Sequence, residues 1–81
     1  MKSAEELFKE IGYQKVNRYS NRISYERVTP KGDIEAIDFP LDQGQHPTFC
    51  CFINSEPSYV YVRELPAIMQ QVKEMGWINN A

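Results

Sequence analysis

The chain has 81 residues, a net charge of −2 and ordinary hydrophobic (42%) and charged (25%) fractions, which predicts one small globular domain, residues 1–81. A domain of this size buries roughly 60–65% of the surface of its unfolded chain, so a deep, enclosed active site is not expected. No apolar run approaches the ~20 residues that span a bilayer, and the acidic N-terminus lacks the apolar stretch of a signal peptide. We therefore expect a cytoplasmic protein without overall attraction to nucleic acid or anionic membrane.

The first predicted element is a helix that starts at Ser3. Ser3 and Glu6 have the spacing of a capping box, in which each side chain satisfies a free backbone donor. Apolar residues then follow at helical spacing: Ala4, Leu7, Phe8 and Ile11. Gly12 is placed to end the helix in the left-handed conformation, with Tyr13 in position to fold back against it.

Short stretches of strand-like composition follow, separated by turn signals. They lie at 13–19, 22–28, 34–39 and 48–54, and residues 59–62 form an optional short fifth strand. The fourth stretch is almost entirely apolar, which predicts the most buried, central strand. Hairpin-type turns between the stretches make the sheet antiparallel.

A second helix is predicted from about Glu64 to Met75. Pro66 is tolerated only in a first helical turn, and Gly76 followed by Trp77 repeats the ending of the first helix. Its apolar stripe consists of Leu65, Ile68, Met69, Val72 and Met75. The predicted order is α-β-β-β-β-α: an α+β, two-layer fold with an antiparallel four-stranded sheet covered on one face by the two helices.

Residues that commonly perform catalysis or bind metals are sparse. His46 is the only histidine, and no serine in a triad-like pattern accompanies it. Cys50 and Cys51 are adjacent, so on a strand they point to opposite faces, and neither a disulfide nor a zinc site with His46 is expected. The spacing of Asp38 and Asp42 does not match that of a calcium-binding loop. The glycines are too scattered along the chain to form a glycine-rich phosphate-binding loop. We predict no enzymatic activity, no metal and no cofactor.

Charge is distributed unevenly along the chain. Residues 14–31 contain five cations and one anion, a net charge of +4, and residues 33–64 contain six anions and one cation, a net charge of −5. A cationic sheet surface with aromatic side chains is typical of proteins that bind single-stranded nucleic acid. The candidate contacts are Lys15, Arg18, Arg22, Arg27, Lys31 and Tyr19. A basic edge hairpin also prevents aggregation, and the chain lacks the high pI of nucleic-acid-binding domains.

Residues 59–62 alternate tyrosine with valine. In an extended segment, one of these two sets points away from the core. Outward-facing Tyr59 and Tyr61 would form an aromatic patch of the kind enriched in protein interfaces, whereas inward-facing tyrosines would pack over a helix edge. The leading hypothesis is a protein-interaction module that uses this patch and the acidic segment 33–64. Nucleic-acid binding is the alternative, and a homodimer is compatible with either.

Both ends of the chain carry short motifs. Residues 5–13 read EELFKEIGY, and residues 64–78 read ELPAIMQQVKEMGWI. They resemble the E-x-(F/L)-x-x-L-G-Y opening and the E-L-x-A-I-x-x-Q-x-x-E-L-G-W-I closing of a family of small proteins encoded in phages, prophages and mobile elements of Gram-positive bacteria. Pro66 and Met75 depart mildly from the closing motif. The family has no established function, so the resemblance supplies no site residues. It implies a shared fold, a bacterial cytoplasm and an accessory role with a host or phage protein as partner.

Overall fold

The computed structural model describes residues 1–42, 44 and 46–78. Its elements are α1 (Ala4–Glu10), β1 (Gln14–Val16), β2 (Arg22–Val28), β3 (Ile34–Pro40), β4 (Cys50–Ile53), β5 (Glu56–Pro57) and α2 (Leu65–Glu74), the last preceded by a 3-10 turn at Val62–Glu64. Each strand pairs antiparallel with its sequence neighbours, in the spatial order β1-β2-β3-β4-β5. The predicted α+β fold is confirmed, with five strands in its sheet.

The apolar fourth strand is not the central one, so that prediction is wrong. β3 lies in the middle of the sheet, and β4 is next to the two-residue strand β5 at the edge. Cys50 is exposed, and the other three residues of β4 are only partly buried. An apolar composition does not separate a central strand from one that lies near an edge, because β4 packs against the core on one face only.

The fifth strand also differs from the predicted one. Asn54 and Ser55 both have positive φ angles, 50° and 69°, as the two central residues of a type I′ hairpin turn require. The chain therefore reverses at once, and Glu56–Pro57 pairs with Phe52 and Ile53. Residues 59–62 lie beyond this pairing and form no strand.

One apolar core lies between the helices and one face of the sheet. The ring of Phe8 stacks on that of Tyr25 with 4.0 Å between centroids, and Phe39 meets both rings edge-on at 6.2 Å. The buried apolar residues are Ala4, Phe8, Tyr13, Tyr25, Ile37, Phe39, Ala67 and Ile68. Both helices thus cover the same face, as predicted, and the other face of the sheet stays open.

The helix ends have the local structures that the sequence predicts. The capping box at Ser3 is present. Gly12 and Gly76 have φ angles of 94° and 75°. The amide of the following aromatic residue donates to a carbonyl five residues earlier, at 2.9 Å for Tyr13 and 3.1 Å for Trp77. Both helices therefore end in the same Schellman motif.

Two tyrosine hydroxyls form hydrogen bonds across the core. Tyr25, on β2, donates to Oε1 of Gln71 on α2 at 2.5 Å. Tyr13 donates to Oε2 of Glu64, which directly precedes α2. Gln71 and Glu64 are 3% and 1% exposed, so these bonds satisfy polar groups that have no access to water.

A third bond fixes the direction of the helices. The backbone amide of Ala4, at the start of α1, donates to Oε2 of Glu74 at the end of α2 (2.8 Å). Because Tyr13 and Glu64 meet at the opposite ends, the two helices run antiparallel. The polar residues of the two terminal motifs are thus used to hold the fold together.

We predict that Tyr25→Phe lowers the free energy of unfolding by about 1–3 kcal/mol, because it leaves the buried amide oxygen of Gln71 without a donor. The matched control, Tyr59→Phe, makes the same chemical change at a side chain that is 86% exposed and should stay within about 0.5 kcal/mol of wild type. The double variant Tyr25→Phe/Gln71→Leu should recover part of the loss, since both polar groups are removed. Urea denaturation measures all three variants, and equal effects of the two single substitutions would contradict the prediction.

Candidate functional site

Large apolar side chains are concentrated on the surface between residues 59 and 69. Six of the eleven that are exposed in the described part of the chain lie there, and the most exposed are Tyr59 (86%) and Val62 (81%). We term this set the apolar strip: Tyr59, Val60, Tyr61, Val62, Leu65 and Met69. The i, i+3, i+7 spacing of Val62, Leu65 and Met69 places them on one side of the helix and the turn before it. Large patches of exposed apolar side chains mark interaction sites, whereas single scattered ones do not.

The local backbone explains why the strip faces outward. Tyr61 is extended and is followed by the 3-10 turn, in which Glu64 points into the protein. The carboxyl group of Glu64 accepts the backbone N–H of Tyr61 at 3.0 Å. Because α2 directs Ala67, Ile68 and Gln71 at the core, the remaining apolar side chains of its first turns lie outside it.

Sequence reasoning placed Tyr59 and Tyr61 in the interface, and both are exposed, at 86% and 40%. It missed the rest of the strip, because Leu65 and Met69 were assigned to the core-facing stripe of the second helix. They are 43% and 46% exposed, so that assignment is wrong. A signal was present: residues 65–69 are apolar around more of the helix than one core face can bury.

The acidic segment 33–64 does not form one acidic surface. Glu35 and Glu64 are buried, at 6% and 1% exposure, and the side chain of Asp38 is 15% exposed and paired with Arg22. Three of its six anions are therefore turned inward or neutralised. The segment contributes to the core and to the sheet rather than to a continuous surface beside Tyr59 and Tyr61.

The cationic side chains considered for nucleic-acid binding are divided between the two faces of the sheet, its β1 edge and one turn. Arg27 is on the helix side of the sheet, where its Nε donates to Oε1 of the buried Glu35 at 2.9 Å. Lys15 pairs in register with Tyr25 and so shares that side of the sheet, at its edge. Lys31 is in the turn between β2 and β3. Lys15 and Arg27 border an open groove of about 660 Å³ at the β1 edge together with Arg18, whereas Lys31 lines neither that groove nor the one on the open face.

The remaining candidates form a cluster on the open face of the sheet. The guanidinium carbons of Arg22 and Arg18 lie 3.6 Å and 5.1 Å from the ring centroid of Tyr19. Arg18 Nη2 lies 2.7 Å from Glu26 Oε2, and Arg22 Nε lies 3.1 Å from Asp38 Oδ2, although off hydrogen-bond alignment. Each arginine in this cluster is therefore balanced by a carboxylate.

This arginine–tyrosine cluster borders a shallow groove of about 320 Å³ on the open face. The hydroxyl of Ser24 donates to Oδ1 of Asp38 in the groove at 2.5 Å. Ile34, Ala36 and Phe52 supply its aliphatic and phenyl lining. The groove is thus partly apolar, and its charges are balanced.

The pKa shifts of the buried tyrosines have structural causes. Burial raises the pKa of Tyr25 to about 12, and the nearby Glu5 and Glu74 carboxylates add to the shift. The pKa of Tyr13 also rises, through burial and its bond to Glu64. Perturbed pKa values cluster at active sites but also arise in structural networks. Here both hydroxyls are engaged in bonds inside the core.

The two cysteines are free thiols. Burial raises the pKa of Cys51 to about 11, with contributions from Glu64 and Cys50, so this thiol keeps its proton at neutral pH and is a poor nucleophile. Cys50 and His46 are exposed. Within residues 1–42, 44 and 46–78, no three His, Cys, Asp or Glu side chains are grouped so that they could hold a metal ion. In the same part of the chain, neither helix has the length and apolar character needed to cross a membrane.

Comparison of the chain with protein-family models, with curated proteins and with solved structures finds no match in any of the three. The resemblance of its two ends to small phage and prophage proteins stays a prediction. A function for this chain is therefore argued from its own contacts, burial and charges.

Proposed function

We propose that this chain is a non-catalytic protein-interaction module that binds a partner protein through the apolar strip. The observation that carries the proposal is the exposure of Tyr59 and Val62, at 86% and 81%, beside the exposed Leu65 and Met69 of α2. Burying an apolar side chain of this size contributes roughly 1.5–3 kcal/mol. A partner that covers the strip therefore gains substantial binding free energy.

The strip is held in place before any partner arrives. The backbone amide of Ser58, just before Tyr59, donates to the carbonyl of Cys51 on β4 at 2.9 Å. At the other end of the segment, Glu64 accepts the amide of Tyr61. Because these bonds already order the backbone, binding loses less conformational entropy than it would with a flexible segment.

The buried polar side chains of the core are already hydrogen-bonded to one another, which supports a role without catalysis. The buried hydroxyls of Tyr13 and Tyr25 are each bonded to one side chain, Glu64 or Gln71. The resemblance of the chain ends to mobile-element proteins suggests a bacterial host or phage protein as the partner. An accessory protein in the cytoplasm is consistent with this proposal.

We predict that Tyr59→Ser/Val62→Ser weakens partner binding at least about tenfold, because truncating a tyrosine anchor at an interface centre costs about 2 kcal/mol or more. A photo-crosslinking residue at position 59, introduced in cells of the source organism, identifies the partner. Affinity is then measured with both purified proteins. The matched control, Val28→Ser/Leu41→Ser, alters side chains that are 68% and 51% exposed outside the strip, and it should bind as wild type does. Equal affinities of the strip variant and the control would contradict the proposal.

Nucleic-acid binding is the second candidate function, and the cluster of Arg18, Tyr19 and Arg22 favours it. Two guanidinium groups and an aromatic ring meet on an open sheet face beside Phe52, a combination that single-strand-binding surfaces use. The carboxylates paired with both arginines weaken this candidate, since a phosphate would have to compete with them.

This second candidate predicts that short single-stranded oligonucleotides, at low salt, shift amide signals of residues 17–26 and 52–55. The shifts should disappear as salt rises, because phosphate contacts release counterions. They should also weaken in the variant Arg18→Ala/Arg22→Ala. Double-stranded oligonucleotides serve as the comparison. Unchanged spectra at low salt would remove nucleic-acid binding as a candidate.

A further inference from the structure

The two exposed charges between residues 58 and 73 are both positive. Between residues 58 and 73 the chain has three charged side chains, namely Arg63, Glu64 and Lys73. Glu64 is 1% exposed and bonded to Tyr13. Arg63 and Lys73 are exposed, and neither forms an ion pair with another described residue. The anions that flank this stretch are Glu56, on β5, and Glu74, whose carboxyl group turns toward α1 and accepts the backbone amide of Ala4.

The two cations flank the part of the strip that lies on α2, Leu65 and Met69. Lys73 follows Met69 by four residues, so it lies one turn further along a similar side of α2. Arg63 precedes Leu65 by two residues, with its guanidinium carbon 5.1 Å from the ring centroid of Tyr61. Ten residues at about 1.5 Å per residue place the two positions roughly 15 Å apart along the helix axis.

On the basis of the proposed function, we infer that the partner contributes an amphipathic helix with an apolar face and acidic side chains at its rim. The apolar face covers Val62, Leu65 and Met69, and the acidic side chains pair with Arg63 and Lys73. Leu65, Met69 and Lys73 form an i, i+4, i+8 ridge, and such ridges pack into the grooves of a second helix at an interaxial distance of about 8–10 Å. Complementary charges at the rim fix the register of such a contact.

The same charges argue against a second copy of this chain on the strip. A two-fold axis perpendicular to α2 makes the two helices antiparallel and brings Arg63 of one copy toward Lys73 of the other, and an axis along α2 makes them parallel and brings each cation toward its own counterpart. In both arrangements like charges face each other, which is unfavourable. An anionic membrane is also a poorer match, because two cations at about 1 kcal/mol each supply little attraction and the chain as a whole is acidic.

The test uses two blocked helical peptides with leucine along one face. One has two glutamates ten residues apart at the rim of that face, and the other has lysines at the same two positions. Amide shifts of the labelled full-length chain measure both affinities. The acidic peptide should bind about five- to tenfold more tightly at low salt, the preference should shrink as salt rises, and Arg63→Glu/Lys73→Glu should reverse it. The control Lys15→Glu/Lys31→Glu makes the same change in net charge elsewhere and should keep the wild-type preference.

The outcomes separate this inference from the proposed function. If both peptides bind equally well and Tyr59→Ser/Val62→Ser abolishes that binding, the inference of an acidic helix is overturned. The strip is then retained as a protein-binding surface. Binding of either peptide that is unaffected by that strip variant would overturn both proposals. If neither peptide shifts the strip signals, or if phosphatidylglycerol vesicles shift them and the peptides do not, the acidic helix is likewise overturned.

Discussion

The burial of the Glu64 carboxyl group is the constraint on which the rest of the structure depends. Glu64 is 1% exposed, and its carboxyl group accepts hydrogen bonds from the hydroxyl of Tyr13, 51 residues away in the chain, and from the backbone N–H of Tyr61. A buried polar group that loses a partner costs about 1–3 kcal/mol, and more when it is charged. Glu64 therefore stays inside only while both donors stay in place. One side chain joins the end of α1 to the start of α2.

The same constraint shapes the surface that we propose for binding. The turn that directs Glu64 inward leaves Val62 exposed and holds the backbone of Tyr61. It also withdraws the single anion of residues 58–73 from the surface, so that Arg63 and Lys73 remain as exposed cations. The ordered backbone at Tyr61, the exposure of Val62 and the positive rim of the strip thus all follow from one buried contact. The candidate surface is a consequence of how the core is closed.

Features that depend on near neighbours could be predicted from the sequence. The capping box at Ser3 and the glycines that end both helices are local, and hairpin turns predict an antiparallel sheet. Contacts between distant residues could not be predicted in this way. Glu64 counted as a surface anion because its donor, Tyr13, is far away in the chain. Helical periodicity assigned Met69 to the core, because periodicity alone does not distinguish side chains that face the core from those that face a partner.

Hydrogen exchange at the Tyr61 amide, compared between wild type and Tyr13→Phe, tests the central role of Glu64 most directly. Tyr25→Phe is the matched control, because it removes the other core hydroxyl without touching Glu64. We predict that Tyr13→Phe lowers the protection of the Tyr61 amide more than that of the paired β2 and β3 amides, since the carboxyl group is freed to turn outward. Tyr25→Phe should show no such selectivity. If Tyr13→Phe lowers protection equally at Tyr61 and in β2 and β3, Glu64 does not hold the strip, and the account is contradicted.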